Sequence, residues 1–416
     1  MIKQRQSGRR KVLAAAGAAL AFPAIHARAA TNGVALVIGN SKYHWEASLP
    51  NVKRDVPEVA KRLQALGLKT NLVQDVTRDA MQRAIDAFVS SSRGANLAAV
   101  YFAGHGAAWG KDTFLVPVDA DLSDPSTVKT LLPVTSLRDG MEGASHRLMV
   151  YDNCRNNPAD GWRQKEVADY SGNYVGNVNT GTPNTLALFS TAPGRVAVDG
   201  PPGDFSPFAA ALMRQLDAPS VDLQALPAAL RRDLLIATEG RQVLFDRNTY
   251  QAPFVLTGPP GRGPAAGRSS WAGDPSRIIE LPNAYAFAQQ SGLLLPSGLI
   301  AHRPGGKSGA GRIVGSYKTT DSFGGPAVMV ILSAEDQAGA EIVMSLRERA
   351  TGNSGWRFFH GTFSGKALEF VPSTKAPKIQ LDWSDANSGR MTVMVSRAQG
   401  SSNKVSAGAP FTRLDG

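Results

Sequence analysis

Two short apolar runs, Leu97 to Phe102 and Leu148 to Tyr151, each give way abruptly to glycine and polar residues. The first leads into Ala103-Gly104-His105-Gly106, the second into Asp152-Asn153-Cys154-Arg155-Asn156. Their length and their β-branched and aromatic content suit strands buried on both faces. Strands of that kind build open α/β sheets, where the loops after successive strands gather at the carboxyl edge. A histidine and the single cysteine of the chain therefore sit at equivalent strand ends, the raw material of a Cys-His pair.

The surrounding pattern supports such a sheet. From Gly33 to Leu256 strand-like runs at Val34 to Ile38, Lys69 to Val73, Ala98 to Ala103, Phe114 to Pro117, Leu148 to Tyr151 and Thr185 to Ser190 are interleaved with helical stretches. The helices are expected at about Val56 to Leu66, Ala80 to Ser90 and Pro207 to Leu216, with Val56, Val59, Ala60 and Leu63 at helical spacing. Alternation of this kind implies right-handed crossovers over a mainly parallel sheet with helices on both faces. The stretch is long enough for one substantial core.

The remainder reads differently. Residues 258–275, opening Gly258-Pro259-Pro260-Gly261, form a Gly/Pro-rich linker that cannot hold a regular element. Beyond it, Ala327 to Ser333, Glu341 to Arg347, Lys378 to Trp383 and Arg390 to Ser396 read as strands separated by Gly, Ser, Asn and Asp, with Ile342, Met344 and Leu346 alternating with Val343, Ser345 and Arg347, so residues 276–416 are expected to form a smaller all-β domain, sandwich-like. The amino-terminal residues 1–29 carry Arg9-Arg10-Lys11, an alanine-rich apolar stretch and Ala27-Arg28-Ala29 before residue 30. That is the layout of a twin-arginine export signal, which places the domain 30–257 and the β-rich residues after it in the periplasm or outside the cell.

Charge follows these divisions. The formal net charge of the whole chain is +11, and the leader contributes six basic and no acidic residues to it. The charges of the carboxyl part are scattered rather than clustered, so they describe a solvated face and argue against a nucleic-acid partner. With one cysteine, no intrachain disulfide can form, although exported proteins often rely on them. Polar neighbours Asp152, Asn153 and Arg155 set Cys154 apart from an inert buried thiol. Of the six histidines, His44 and His105 stand in useful loops, and only His105 is flanked by glycines after a strong strand.

A thiol with an unperturbed pKa of about 8.5 needs an adjacent base to take its proton before it attacks a carbonyl. His105 is the candidate base and Cys154 the candidate nucleophile of such a pair. The ordered set Val34-Ala35-Leu36-Val37-Ile38-Gly39-Asn40, Leu49-Pro50-Asn51 with Asp55, Gly104-His105-Gly106, Asp152-x-Cys154-Arg155, Phe189-Ser190-Thr191-Ala192-Pro193-Gly194, Ser206-Pro207-Phe208 and Arg241-Gln242-Val243 resembles the caspase-like cysteine peptidases, and their prokaryotic metacaspase-like branch most. The resemblance covers about Gly33 to Leu256 and implies a caspase-like fold. It also implies an oxyanion site on the backbone N–H groups of Gly106 and Cys154, and a substrate pocket in which Asp55 and Asp152 face a basic P1 side chain. Two carboxylates favour Arg or Lys there and oppose Asp. Asp55 could alternatively cap the helix that starts at Val56. The chain departs from many metacaspases in having Ala103 where they have Ser.

The expected function is an exported cysteine endopeptidase cleaving after Arg or Lys, acting as a monomer on peptide or protein substrates. The alternative is a catalytically weak caspase-like scaffold whose β-domain binds a partner or an envelope polymer. Arg163 and Lys165, a few residues past Cys154, are candidate sites of self-cleavage for an enzyme with basic specificity. No cofactor is required by these residues, no metal site has zinc spacing, and calcium dependence is left open. Gly306-Lys307-Ser308 lacks the preceding glycine and context of a phosphate loop.

Overall fold

The computed structural model describes residues 32–109, 112–153, 182–191, 197–198, 200–201, 203–257, 274–295, 299–305, 309–320, 325–334, 339–347, 354–370, 378–385, 387–395 and 404–416. Cys154, Arg163 and Lys165 lie outside the described residues.

The first half is built on β1 (Gly33–Gly39), β2 (Leu68–Gln74), β3 (Leu97–Ala103), β7 (His146–Asp152), β8 (Thr185–Phe189) and β10 (Phe245–Asn248). Between β3 and β7 come β4 (Gly106–Trp109), β5 (Asp112–Leu115) and β6 (Leu132–Pro133); after β8 come β9 (Ser220–Asp222) and β11 (Val255–Thr257). The helices of this half are α1 (Val52–Ala65), α2 (Arg78–Ser92), α3 (Val134–Gly140), α4 (Pro207–Leu216) and α5 (Leu226–Ala237). The six-stranded sheet runs β10-β8-β7-β3-β1-β2, with every pairing parallel except that of β10 on β8. Alternate residues of its strands pack on opposite sides. Val37, Tyr101 and Val150 join α1, α4 and α5, whereas Leu36, Phe102 and Met149 join α2 and α3. Both faces are covered, which is why the central strands β1 and β3 are apolar throughout, while the edge strands β2 and β10 carry polar residues.

Two local readings shift. The run Phe114 to Pro117 was expected in the main sheet; instead β5 belongs to a separate antiparallel sheet β4-β5-β6. It returns directly from β4 as a hairpin, and so short a connection cannot cross over to a parallel position. Helix α1 starts at Val52, a turn before the expected Val56, and contains Pro57. The proline removes one intrahelical hydrogen bond, to Lys53, without ending the helix. Asp55 therefore lies in the first turn, while Asn51 holds the cap position.

The second half begins with β12 (Ile278–Ile279), α6 (Pro282–Gln290) and β13 (Ala301–His302). Eight strands come next, β14 (Gly315–Thr320), β15 (Pro326–Ala334), β16 (Gly339–Arg347), β17 (Ser354–Phe363), β18 (Ala367–Phe370), β19 (Lys378–Trp383), β20 (Ser388–Val395) and β21 (Lys404–Asp415). The all-β character is as expected, but the strands close into a barrel, with β21 pairing back onto β14, rather than packing as two sheets. Register shifts at Ser316/Tyr317, Ile331/Ser333 and Met391/Val393 supply the bends that closure requires. Tyr317, Trp383 and Phe411 meet edge to face, with ring centroids 5.1 to 5.9 Å apart. At the end of β21 the Asp415 carboxylate accepts from Asn283 N (3.0 Å) and Ala284 N (2.8 Å), so the last strand caps α6.

The halves pack against each other. Leu235 and Val243 belong to the hydrophobic cluster of the barrel half, and Trp356 of β17 meets Phe245 of β10 at 6.0 Å between ring centroids.

Candidate active site

Parallel pairing places Ala103 opposite Asp152, so the chain leaves β3 and β7 side by side. Gly104 N then donates to Asp152 O at 3.2 Å, tying the two exits together. His105 comes next on one chain and Asn153, then Cys154, on the other. The described part of the candidate dyad is thus at the carboxyl edge, with Cys154 covalently next to the buried Asn153.

The loop between β1 and α1 orients His105. Asn40 secures its start: its side-chain N–H donates to Val116 O (2.9 Å), and its side-chain oxygen accepts from Val76 N (3.0 Å). Asp75 Oδ1 accepts from Ser41 N (2.7 Å) and Lys42 N (2.9 Å). From that anchored loop the Tyr43 hydroxyl accepts the His105 backbone N–H at 2.7 Å, and the two rings lie 4.4 Å apart. Gly104 makes this approach feasible, because a Cβ there would come within 2.6 Å of the Tyr43 oxygen. The His105 ring contributes Nε2 to a 2.7 Å contact with Ala47 O. A carbonyl only accepts, so Nε2 carries the proton and Nδ1 keeps the lone pair in the neutral ring. Nδ1 is thereby the ring nitrogen left to accept a proton.

The two acids converge. Asp55 and Asp152 are both buried, and Ser206 joins them. Its hydroxyl donates to Asp152 Oδ2 at 2.8 Å, and its backbone N–H lies 3.3 and 3.4 Å from the Asp55 oxygens. The same hydroxyl accepts from Ala209 N at 3.0 Å as the N-cap of α4, with Pro207 in the first turn. One serine therefore fixes a helix start and the separation of two carboxylates. Asp55 spends its oxygens on Ser206 N rather than on a cap of its own helix. Beneath them lies the Tyr101 hydroxyl, whose pKa is pushed well above its ordinary value by burial and then by Asp152 and Asp55. It stays a neutral phenol and adds no third negative charge.

The walls are held by residues from distant segments. Asn51 donates to Pro201 O (3.0 Å) and accepts from Gly203 N (3.0 Å), and Arg54 lies over the Phe205 ring at 4.6 Å. On the other side Gln242 donates to Ser190 O (2.8 Å) and accepts from Val198 N (3.0 Å). Sequence reasoning did not assign roles to Tyr43, Ala47, Ser206 or Gln242. Ser206 and Gln242 stood in motifs of the resemblance, whereas Tyr43 and the Ala47 carbonyl carried no signal of their own. Gly106 opens β4, beside the His105 carbonyl that accepts from Val116 N at 3.2 Å. His44, the other loop histidine, is exposed. Among the described residues no group of three His, Cys, Asp or Glu side chains is placed to hold a metal ion.

This arrangement matches a known family. The family model for the caspase domain matches residues 32–253, more than half of the chain, and the chain belongs to that family of cysteine peptidases. Mucosa-associated lymphoid tissue lymphoma translocation protein 1 of Homo sapiens is 32% identical over 128 residues, which is 30% of this chain and 15% of that relative. The chain thus matches only a small part of that relative's length. Caspase-1 from Spodoptera frugiperda is similar in structure with a TM-score of 0.41 and 15% identity, covering 56% of this chain and 94% of the other.

Proposed function

We propose that the protein is an exported endopeptidase that hydrolyses peptide bonds after Arg or Lys, using Cys154 as nucleophile and His105 as base. The observation that carries this reading is the meeting, at one sheet edge, of an oriented His105 Nδ1 with the Asp55-Ser206-Asp152 cluster. The Cys154 thiol would pass its proton to Nδ1 as the sulfur attacks the scissile carbonyl carbon. The oxyanion would be met by the backbone N–H groups of Gly106 and Cys154. Collapse breaks the C–N bond, and the imidazolium gives its proton to the departing amine. Water then attacks the thioester while losing a proton to His105, the C–S bond breaks to free the carboxyl product, and the imidazolium returns its proton to the Cys154 sulfur.

Two buried carboxylates around one serine favour a guanidinium or ammonium at P1 and repel a carboxylate. A library of fluorogenic peptides varied at P1 tests this directly. Preference for Arg and Lys that disappears in Asp152→Asn supports the reading; comparable cleavage after Asp and Arg by the parent overturns it. Export rests on the Arg9-Arg10 leader, and fractionation of an Arg9→Lys/Arg10→Lys variant tests it: protein still outside the cytoplasm would exclude that route. Self-cleavage after Arg163 or Lys165 is the corresponding proposal for activation, checked by mass spectrometry of the parent beside Cys154→Ala. A parent that stays intact and fully active excludes it.

A further inference from the structure

The loop of residues 40–51 between β1 and α1 has an inner and an outer face. Tyr43 and Leu49 turn inward and pack with Val116, Val118 and Leu122. Trp45 stays outside, 67% exposed; among the described residues the only other exposed large apolar side chain is Leu294. A single exposed apolar residue is ordinary on a protein surface. What sets Trp45 apart is how firmly its loop is held and what the loop adjoins.

The loop is closed at its base, where Leu49 N donates to Ser41 O (2.9 Å) and Ser41 Oγ donates to Leu49 O (2.8 Å). Both neighbours of Trp45 are tied to the segment after β5: His44 N donates to Val118 O at 2.9 Å, and Glu46 Oε1 accepts from Leu122 N at 3.0 Å. An indole presented from a backbone that is already ordered gives up little freedom when a ligand covers it.

Trp45 also stands midway in sequence between the two residues that hold His105. These are Tyr43, whose ring is 4.4 Å from the imidazole, and Ala47, whose carbonyl faces Nε2 at 2.7 Å. Two residues of chain span at most about 7 Å, so the Trp45 Cα is within that distance of both the Tyr43 and the Ala47 Cα. The course of a substrate follows from the path of the proton. With the P1 side chain at Asp55 and Asp152, the scissile nitrogen has to come to His105 Nδ1 to be protonated. The peptide that departs with this nitrogen therefore starts on the His105 side, where the loop carrying Trp45 lies.

We infer that Trp45 determines specificity on the leaving side of the cut, by receiving a large apolar or aromatic side chain from the first or second residue after the scissile bond, P1′ or P2′. The inference rests on the proposed Cys154–His105 reaction and adds a requirement on the opposite side of the bond from P1. The indole supplies a broad, flat apolar surface for such a side chain. Because an extended peptide points successive side chains to opposite sides, one of the two positions carries the preference and the other is tolerant.

The test has two arms, both on the full chain. In the first, peptides with Arg at P1 carry Gly, Leu or Phe at P1′ or at P2′, and kcat/KM is read by chromatography of the products. The parent is expected to favour Leu or Phe over Gly at one position by about tenfold or more, Trp45→Phe to keep most of that ratio, and Trp45→Ala to bring it within about threefold of unity. Cleavage after Arg with no leaving-side preference, or a preference that survives Trp45→Ala, overturns the role of Trp45 and leaves the P1 reading standing. In the second arm, tryptophan emission of the Cys154→Ala protein is followed as a peptide with Arg at P1 and Phe at P1′ and P2′ is added. A change is expected that is absent from Cys154→Ala/Trp45→Phe and much smaller with Gly at both positions. That response from a chain whose parent cleaves no peptide would keep the Trp45 site and remove the peptidase reading; no response, or one unaltered by Trp45→Phe, overturns the site.

Discussion

Strand β7 buries a charged side chain near each end, and the two behave differently. Near its start, Arg147 donates to four backbone carbonyls, those of Met141, Glu142, Ala144 and Pro183, at 2.6 to 2.9 Å. Its fork is used up in joining the turn after α3 to the approach to β8. At the other end, Asp152 shares Ser206 with Asp55 beside the exit that carries His105. Burial of a charge is common to both, so burial does not mark function. What separates them is position along the strand: the amino end of a parallel strand meets loops that are packed away, while the carboxyl end meets the loops where chains converge.

Breaking the functional end should affect catalysis alone. His105→Ala or Cys154→Ala is expected to lower kcat/KM by about 10³-fold or more, with the thermal transition little changed. Steady-state kinetics beside a melting curve check this, and a variant retaining parental activity would remove that residue from the mechanism. Asp152→Asn should lose about 2–5 kcal/mol of transition-state stabilisation for substrates with Arg at P1, and much less for those with a neutral P1.

The structural end should show the reverse. Arg147→Met leaves several buried carbonyls without their donor and is expected to cost about 3 kcal/mol of folding stability, read by urea denaturation. Activity per folded molecule should stay near the parental value. A large loss of kcat without loss of stability would collapse the distinction between the two ends. A finer probe is Tyr43→Phe, which removes the oxygen that accepts the His105 N–H; about 1 kcal/mol, or roughly fivefold in kcat, is expected.

His146, the first residue of β7, gives the smallest effect. Its pKa is lowered first by burial and further by Arg147, partly offset by the Asn96 carbonyl. The fold thus favours the neutral ring, while the unfolded chain takes up a proton at about pH 6.5. The stability this contributes is present above that pH and is lost as pH falls below it. Denaturation at pH 7 and pH 5 should differ less in His146→Gln than in the parent, and an equal difference would remove His146 as a cause.

Much of this was legible in sequence because the chemistry lies where periodicity changes. Leu97 to Phe102 and Leu148 to Tyr151 announce buried strands, and the polar residues at their carboxyl ends include those of the candidate site. Helix α4 falls where Pro207 to Leu216 implied, since serine and proline mark its start. The barrel was harder to read: β15, β16, β19 and β20 lie on the expected runs, whereas β14, β17 and β21 are interrupted by Gly, Lys or Thr, β18 is only four residues long, and none of these four stood out. Period two says that a strand has two faces, not whether the sheet closes. The Ala47 carbonyl is invisible for a different reason, since any residue supplies a carbonyl and only the fold decides where it points.

Central to the proposed function is one sheet edge that joins an activated Cys154 to a pocket for a basic side chain. Labelling the full chain with a peptidyl chloromethyl ketone carrying Arg at P1, followed by peptide mass spectrometry, tests both parts together. The predicted result is a covalent adduct on Cys154 that is abolished by His105→Ala, strongly reduced by Asp152→Asn, and not formed by the reagent with Asp at P1. Equal labelling by the Arg and Asp reagents, or labelling of Cys154 undiminished by loss of His105, would contradict it.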